Sequence, residues 1–198
     1  MLRMIARLQD PNIEYRQLEE IIAQDVTLGY KLLRLSNSVV FGTAAKITSI
    51  PHAMAMIGMR QLKGWLTLFL LSEIDDKPRE VTTIAMTRAR MCEKIGIQLG
   101  ERSGEAHFLV GLFSVLDALM DLPIEEVIST LNLSDVIADA LIHRRGKLGQ
   151  ALDIVLDYEH GNWDKLDSVP IEPSVLRNIY LEAIEWIAKL NASVLVNR

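Results

Sequence analysis

Apolar residues recur along this chain with the spacing of α-helices. One stripe occupies positions i, i+3, i+4 and i+8 of a helix: Leu18, Ile21, Ile22 and Val26. The segment 105–120 is apolar on nearly every side, which is typical of a central, buried helix. No alternating run of useful strand length occurs. The pattern predicts an all-α protein of about ten helices in one compact unit.

The same pattern sets the expected domain organisation. Ser49, Ile50 and Pro51 offer a helix start, because proline in the first turn loses no hydrogen bond. We expect one domain over residues 1–198, with its core at about 10–165 and a C-terminal helix within 171–198 packing on it. Since Met1 leads straight into a helical pattern, the chain would suit a fragment of a longer protein.

Composition and charge exclude several classes of partner. The net charge is −5 and the isoelectric point about 5.4, so we predict no nucleic-acid partner. The longest apolar run, 65–71, is far shorter than the ~20 residues of a bilayer span, which predicts no membrane insertion. The single cysteine, Cys92, excludes an internal disulfide. Without a signal peptide at its N-terminus, the chain is expected in the cytoplasm.

The histidines do not form a metal-binding pattern. None of the four is followed by aspartate, and none lies three or four residues from another: His52, His107, His143 and His160. A catalytic metal needs several imidazoles and carboxylates that converge on it. The chain also lacks a glycine-rich phosphate loop, a nucleophile elbow and a Cys-x-x-Cys pair. We therefore predict no metal and no cofactor.

The segment LGYKLLRLSNSVVFG, residues 28–42, supports two interpretations. Its polar end can be an ordinary helix terminus whose side chains satisfy open backbone groups, which is the commoner case. It can also be part of a recognition surface, formed by Asp25, Asn37, Ser38 and Phe41.

The chain closely resembles the HDOD domain, a bacterial signalling module related in fold to the HD phosphohydrolases. LEEIIAQDVTLGYKLLRLSNSVVFG and ITSIPHAMAMIGMRQLKGW match its N-terminal part. The later FLVGLFSVLDALMDLPIEEV resembles a central-helix segment that reads "GLLHDIG" in some members. The matching positions are Asp25, Leu28, Leu32, Leu33, Arg34, Asn37, Ser38, Phe41, Ile47, Ser49, Ile50, Ala53, Gly58, Leu62 and Trp65.

The chain departs from this family pattern at the position of the ligands. Where some members keep His-Asp, it has Ser114 and Val115, which cannot replace an imidazole and a carboxylate on a metal. Arg144 and Arg145 lie near where relatives often carry paired histidines. The resemblance therefore implies a domain that is not an enzyme.

More narrowly, the chain looks like the C-terminal half of bacterial proteins that join an EAL-type domain to an HDOD domain. EAL domains are the cyclic-di-GMP phosphodiesterase family, and none lies within these 198 residues. The resemblance implies a signal-transduction output domain linked to cyclic di-GMP through an upstream EAL-type domain. Its partner would be a protein or that neighbouring domain, and homo-oligomerisation stays open.

Two alternatives also stay open. A cryptic metal-dependent HD-type phosphohydrolase would require His52, His107 and His143 to converge with nearby acids. Direct binding of a cyclic dinucleotide would use Arg144 and Arg145 as an anion-binding pair.

Overall fold

Thirteen helices and no strand make up the residues that the computed structural model describes, 2–38, 41, 46–71, 78–131 and 133–191. The all-α prediction is confirmed. The helices are α1 (Leu2–Gln9), α2 (Tyr15–Gln24), α3 (Val26–Ser36), α4 (Ile50–Ile57), α5 (Met59–Leu71), α6 (Arg79–Gln98), α7 (Glu105–Phe113), α8 (Leu116–Met120), α9 (Ile124–Ser129), α10 (Asp135–His143), α11 (Gly146–His160), α12 (Trp163–Leu166) and α13 (Pro173–Leu190).

Side-chain caps at the helix starts come directly from the local sequence. The Asp25 carboxylate accepts hydrogen bonds from the backbone N–H groups of Thr27 and Leu28, at 2.9 and 3.1 Å, and so begins α3. Ser49 caps α4, with Pro51 in its first turn. The helix start predicted at Ser49 is confirmed.

The centre of the fold is a close crossing of α6 and α7. At the crossing, Gly111 faces the backbone of Arg88 and Ala89, and a β-carbon there would lie 2.4 Å from the Arg88 carbonyl oxygen. Only glycine lets the two helices approach this closely. α11 and α13 also pack against α6, which is therefore the helix around which the second half of the chain is arranged.

The hydrophobic core includes residues of the first helix. Ile5 and Leu8 of α1 have no exposed surface and belong to the same hydrophobic cluster as the rest of the core. At the other end of the chain, α13 packs on α6 and buries Ile179, Ala183 and Ile187 in that cluster. No helix among the described residues is both long and apolar enough to cross a bilayer.

The predicted helix over 105–120 is two helices, α7 and α8, separated at Ser114 and Val115. The Ser114 hydroxyl donates to the Gly111 carbonyl at 2.7 Å, and its own carbonyl accepts from the Arg88 guanidinium at 3.4 Å. These bonds replace the helical pattern at this point. The hydrophobic spacing predicted one helix because it carries no information about a partner on α6.

Candidate functional site

An arginine lies beside Ser114, one of the two residues at the position where the family pattern has His-Asp in some members. The Arg88 Nη1 atom lies 3.3 Å from the Ser114 hydroxyl, and its Nη2 atom lies 2.8 Å from a carboxylate oxygen of Glu159. Nε–H donates to both oxygens of that carboxylate, at 3.1 and 2.9 Å. The side chains of Arg88 and Glu159 are only 17% and 22% exposed. α6 and α11 thus hold an ion pair against the end of α7.

This group of side chains does not fit a divalent metal. A hydroxyl, an isopropyl group and a fixed guanidinium offer no ligand set of the kind that a transition metal requires. The guanidinium also places a positive charge beside Ser114, which opposes the binding of a cation there. Among the residues that the structure describes, no cluster of three or more His, Cys, Asp or Glu side chains could hold a metal ion.

The four histidines lie on four different helices: His52 on α4, His107 on α7, His143 on α10 and His160 on α11. His160 contacts the Leu156 carbonyl of its own helix at 2.7 Å through Nδ1. His107 is the buried one, 2% exposed, with its ring so close to Gly96 that a β-carbon there would lie 2.5 Å away.

Burial keeps the His107 ring neutral. Neither ring nitrogen has a hydrogen-bond partner of ordinary geometry. Burial lowers the pKa of His107 below its usual 6.5. The Glu101 carboxylate and the Lys147 backbone act to raise this pKa, and the Lys147 ammonium lowers it further. The ring therefore has the properties of a buried structural group.

This environment predicts a pH-dependent stability. Because the folded-state pKa of His107 lies below the unfolded value of 6.5, the unfolded chain binds the proton more readily. The stabilising effect of the neutral ring is complete above pH 6.5 and is lost as the pH falls from 6.5 toward the lowered folded-state pKa. Urea unfolding between pH 7.5 and about pH 5, a range above the carboxylate titrations, is expected to show the decline.

The variant His107→Gln, which cannot titrate, is expected to flatten that decline. The control is His52→Gln, because His52 is exposed and its replacement should leave the pH profile unchanged. Equal pH profiles for His107→Gln and the wild type would contradict this account.

The structure separates two residues of the proposed recognition surface. Asp25 caps the start of α3 and Asn37 follows its end, which places them about 18 Å apart along the helix. The Asn37 amide donates to the Ile47 carbonyl at 2.7 Å and accepts from the Ile47 N–H at 2.8 Å. Ser38 is 5% exposed. Phe41 lines a cavity.

That cavity, of about 200 Å³, is walled by aromatic rings around Trp65. Ring centroids lie 5.6 Å from Trp65 for Trp186, 6.0 Å for Phe108 and 6.5 Å for Phe41. Trp65 is 4% exposed, whereas the other three rings are half-buried. α5, α7, α13 and Phe41, which follows α3 in the chain, therefore meet in one aromatic group, which we call the aromatic cavity.

Two ion pairs stand at the aromatic cavity. Arg60 on α5 pairs with Glu105 on α7 at 3.2 Å, and Arg90 pairs with Glu93 on α6 at 2.5 Å. The Arg90 guanidinium also lies over the Trp186 ring, 5.4 Å from its centroid. Arg90 Nε is buried without a hydrogen-bond partner. The cavity thus combines aromatic surface with both guanidinium and carboxylate groups.

Sequence reasoning missed this cavity. Phe41 and Trp65 are positions of the family resemblance, and Trp186 belongs to the apolar stripe of α13. The family resemblance and the apolar stripe of α13 each mark some of these residues. Neither pattern indicates that Trp65 and Trp186, which are far apart in the sequence, lie in contact.

The two arginines near the end of α10 have separate surroundings. The Arg144 guanidinium donates to the carbonyls of Ala140, at 3.3 Å, and Leu141, where it caps the end of α10. It also lies 3.6 Å from the Asp153 carboxylate. Arg145 is exposed at the start of α11. Carbonyl groups of this chain thus hold the Arg144 guanidinium. An anion-binding site formed by Arg144 and Arg145 stays a prediction.

Cys92 is fully buried in the core. Burial raises the pKa of its thiol far above the usual range, with smaller opposing contributions from the Arg88 and Arg144 guanidiniums. A thiol that stays protonated is a poor nucleophile and a poor metal ligand, so Cys92 is a packing residue.

The described residues form a single all-α domain, the class of fold that the resemblance to the HDOD family implies. The chain belongs to the HDOD family, since the HDOD domain matches residues 1–129. This confirms the resemblance drawn from the motifs around Asn37 and Trp65.

Two curated relatives extend the comparison. The chain is 31% identical over 196 residues to the protein named cyclic di-GMP phosphodiesterase CdgJ of Vibrio cholerae, covering 96% of this chain and 45% of the relative. It is 29% identical over 188 residues to the uncharacterized protein YuxH of Bacillus subtilis, covering 92% of this chain and 46% of YuxH. The chain thus spans about half the length of these relatives.

A solved structure is also similar. It is the crystal structure of an HDOD domain protein of unknown function from Geobacter sulfurreducens, with a TM-score of 0.49 and 17% sequence identity. The match covers 93% of this chain and 70% of that chain.

Proposed function

We propose that this chain is a non-catalytic signal-transduction domain, which acts by binding and not by breaking bonds. The observation that carries the proposal is the Arg88 guanidinium at Ser114, paired with Glu159 at 2.8 Å. In an HD phosphohydrolase, a metal would activate water near this position. Here the cationic group belongs to the protein, and its hydrogen bonds are used on neighbouring side chains.

The Arg88–Glu159 pair is also too well enclosed to be moved aside easily by a metal. Its side chains are mostly covered, and the guanidinium makes hydrogen bonds to both carboxylate oxygens and to Ser114. Separating such a pair leaves uncompensated charges in a partly buried place, which is strongly unfavourable. The pair therefore stabilises the contact between α6, α7 and α11, and this supports a domain that works without a catalytic ion.

The proposed signalling context is cyclic di-GMP. A relative that is similar over nearly the whole of this chain is named a cyclic di-GMP phosphodiesterase, and more than half of that relative lies outside the match. We assign hydrolysis to an EAL-type domain in such a segment. This chain would then act on that neighbouring domain, or on another protein partner, through contacts.

The test is metal content together with turnover. The purified chain is incubated with Mn²⁺, Fe²⁺ or Ni²⁺, dialysed, and analysed by mass spectrometry for metal. It is then assayed for hydrolysis of cyclic di-GMP and of bis(p-nitrophenyl) phosphate. We expect substoichiometric metal and no turnover above the metal-only blank, because Ser114, Val115 and Arg88 supply no ligand set.

An active EAL-type phosphodiesterase serves as the positive control for the assay. Stoichiometric metal with turnover that is lost in His107→Gln or His143→Gln would overturn the proposal. That result would favour the cryptic HD-type phosphohydrolase instead.

A further inference from the structure

We propose that the aromatic cavity binds the guanine base of a nucleotide. This inference rests on the proposed function, since base binding is a way for a non-catalytic domain to respond to a nucleotide signal. It is separate from the Arg144 and Arg145 hypothesis, because none of the cavity residues belongs to α10 or α11.

The walls of the cavity suit a flat ring. Phe41, Phe108 and Trp186 are half-buried, so part of each ring borders the cavity and part packs on the core. Trp65 lies beneath them as a buried platform. Aromatic side chains bind nucleobases by stacking, which is sequence-tolerant because every base has a π-face. Stacking alone would not select one base.

The polar groups supply the selection. Guanine presents two acceptors, O6 and N7, to a guanidinium fork, and the adjoining edge presents the N1–H and N2–H donors. The acceptor edge and the donor edge of guanine adjoin at O6. An arginine can therefore contact the first edge while a neighbouring carboxylate contacts the second. Arg60 and Glu105 form such a pair at 3.2 Å, and Arg90 with Glu93 forms another at 2.5 Å.

Other ligands fit this combination less well. Adenine alternates one donor with one acceptor on its major-groove edge, a pattern that matches an amide better than a guanidinium. A free cation would have to compete with Arg90, whose guanidinium already lies over the Trp186 ring, 5.4 Å from the ring centroid. A free anion meets the carboxylates of Glu93 and Glu105. The two arginines and two glutamates together are neutral, as is the base.

The size of the cavity limits what enters it. A volume of about 200 Å³ is smaller than the roughly 300–1,000 Å³ of cavities that enclose a whole drug-sized ligand. It therefore takes a base, while the ribose and phosphates stay at the mouth. The Arg60 side chain is 77% exposed there. The shared chemistry is guanine, which a mononucleotide and cyclic di-GMP both carry.

Tryptophan fluorescence gives a direct test. Of the three tryptophans, Trp65 and Trp186 line the cavity. Trp163 is 58% exposed, and its ring centroid lies 5.6 Å from that of Tyr158. The Trp163→Phe chain therefore reports the cavity alone. We expect saturable quenching on titration with GMP or cyclic di-GMP, and binding at least about tenfold weaker with AMP or cyclic di-AMP. Quenching by cyclic di-GMP but not by GMP would identify the dinucleotide as the source of the base.

Matched arginine variants locate the site. Arg60→Ala in the Trp163→Phe chain is expected to weaken guanine binding by about tenfold while leaving the circular dichroism spectrum unchanged. Arg16→Ala is the control, because Arg16 on α2 is 86% exposed in a similar ion pair with Glu20. It should leave binding unchanged.

The inference is overturned by equal affinity for guanine and adenine nucleotides, by no saturable quenching, or by equal effects of the two arginine variants. A failure to bind without any hydrolysis would overturn this inference and leave the proposed function in place. Metal-dependent hydrolysis would instead overturn the proposed function.

Discussion

Gly111→Ala is expected to destabilise the protein by at least about 2 kcal/mol. The added β-carbon would lie 2.4 Å from the Arg88 carbonyl oxygen and 2.6 Å from the Ala89 α-carbon. These are backbone atoms of α6, so relief of the clash requires the two central helices to move apart. Alanine normally stabilises a helix interior by about 1 kcal/mol relative to glycine. The crossing of α6 and α7 outweighs that gain.

The measurement is urea or thermal unfolding, with Gly64→Ala as the matched control. Gly64 is also inside a helix, but a β-carbon there meets the side-chain ends of Leu109 and Phe108, at 3.2 and 3.4 Å. Both side chains are half-buried and can shift, so the change should be close to neutral. Equal stabilities of the two variants would show that the crossing is not tightly packed.

Asn37→Ala is expected to lower the free energy of unfolding by about 2–3 kcal/mol, at about 1 kcal/mol for each hydrogen bond. The amide donates to the carbonyls of Leu33 and Ile47, at 2.8 and 2.7 Å, and accepts from the Ile47 N–H at 2.8 Å. Alanine leaves both polar groups of Ile47 without this partner. The end of α3 would lose its connection to the segment that leads into α4.

Two variants sharpen the measurement. Asn37→Asp keeps an acceptor for the Ile47 N–H, but its second oxygen replaces the amide NH2 group that faces the Leu33 and Ile47 carbonyls, at the negative end of the α3 dipole. Its stability should therefore not exceed that of Asn37→Ala. Asn178→Ala, at an exposed position of α13, should have little effect. An unchanged free energy of unfolding for Asn37→Ala would instead favour the recognition role for this residue.

Local sequence and tertiary packing determine different parts of the candidate site. The helix-terminus interpretation of the Asn37 segment follows from local sequence, and the hydrogen bonds of Asn37 to the backbone agree with it. The sequence also contained the substitution of Ser114 and Val115 for His-Asp. It could not place Arg88 beside Ser114, because the two residues lie on different helices and no periodicity connects them.

The sequence by itself determined what neighbouring residues decide. Apolar spacing along each helix predicts an all-α chain, and Asp25 or Ser49 marks a helix start through bonds to the next turn.

Only the tertiary structure decided how these helices meet. Tertiary packing ends the helix at Ser114, forms the ion pair between Arg88 and Glu159, and brings the rings of Trp65 and Trp186 together in the aromatic cavity. The physical reason is range: capping and hydrophobic spacing act over one or two turns, whereas a cavity or an ion pair between helices depends on packing of the whole core.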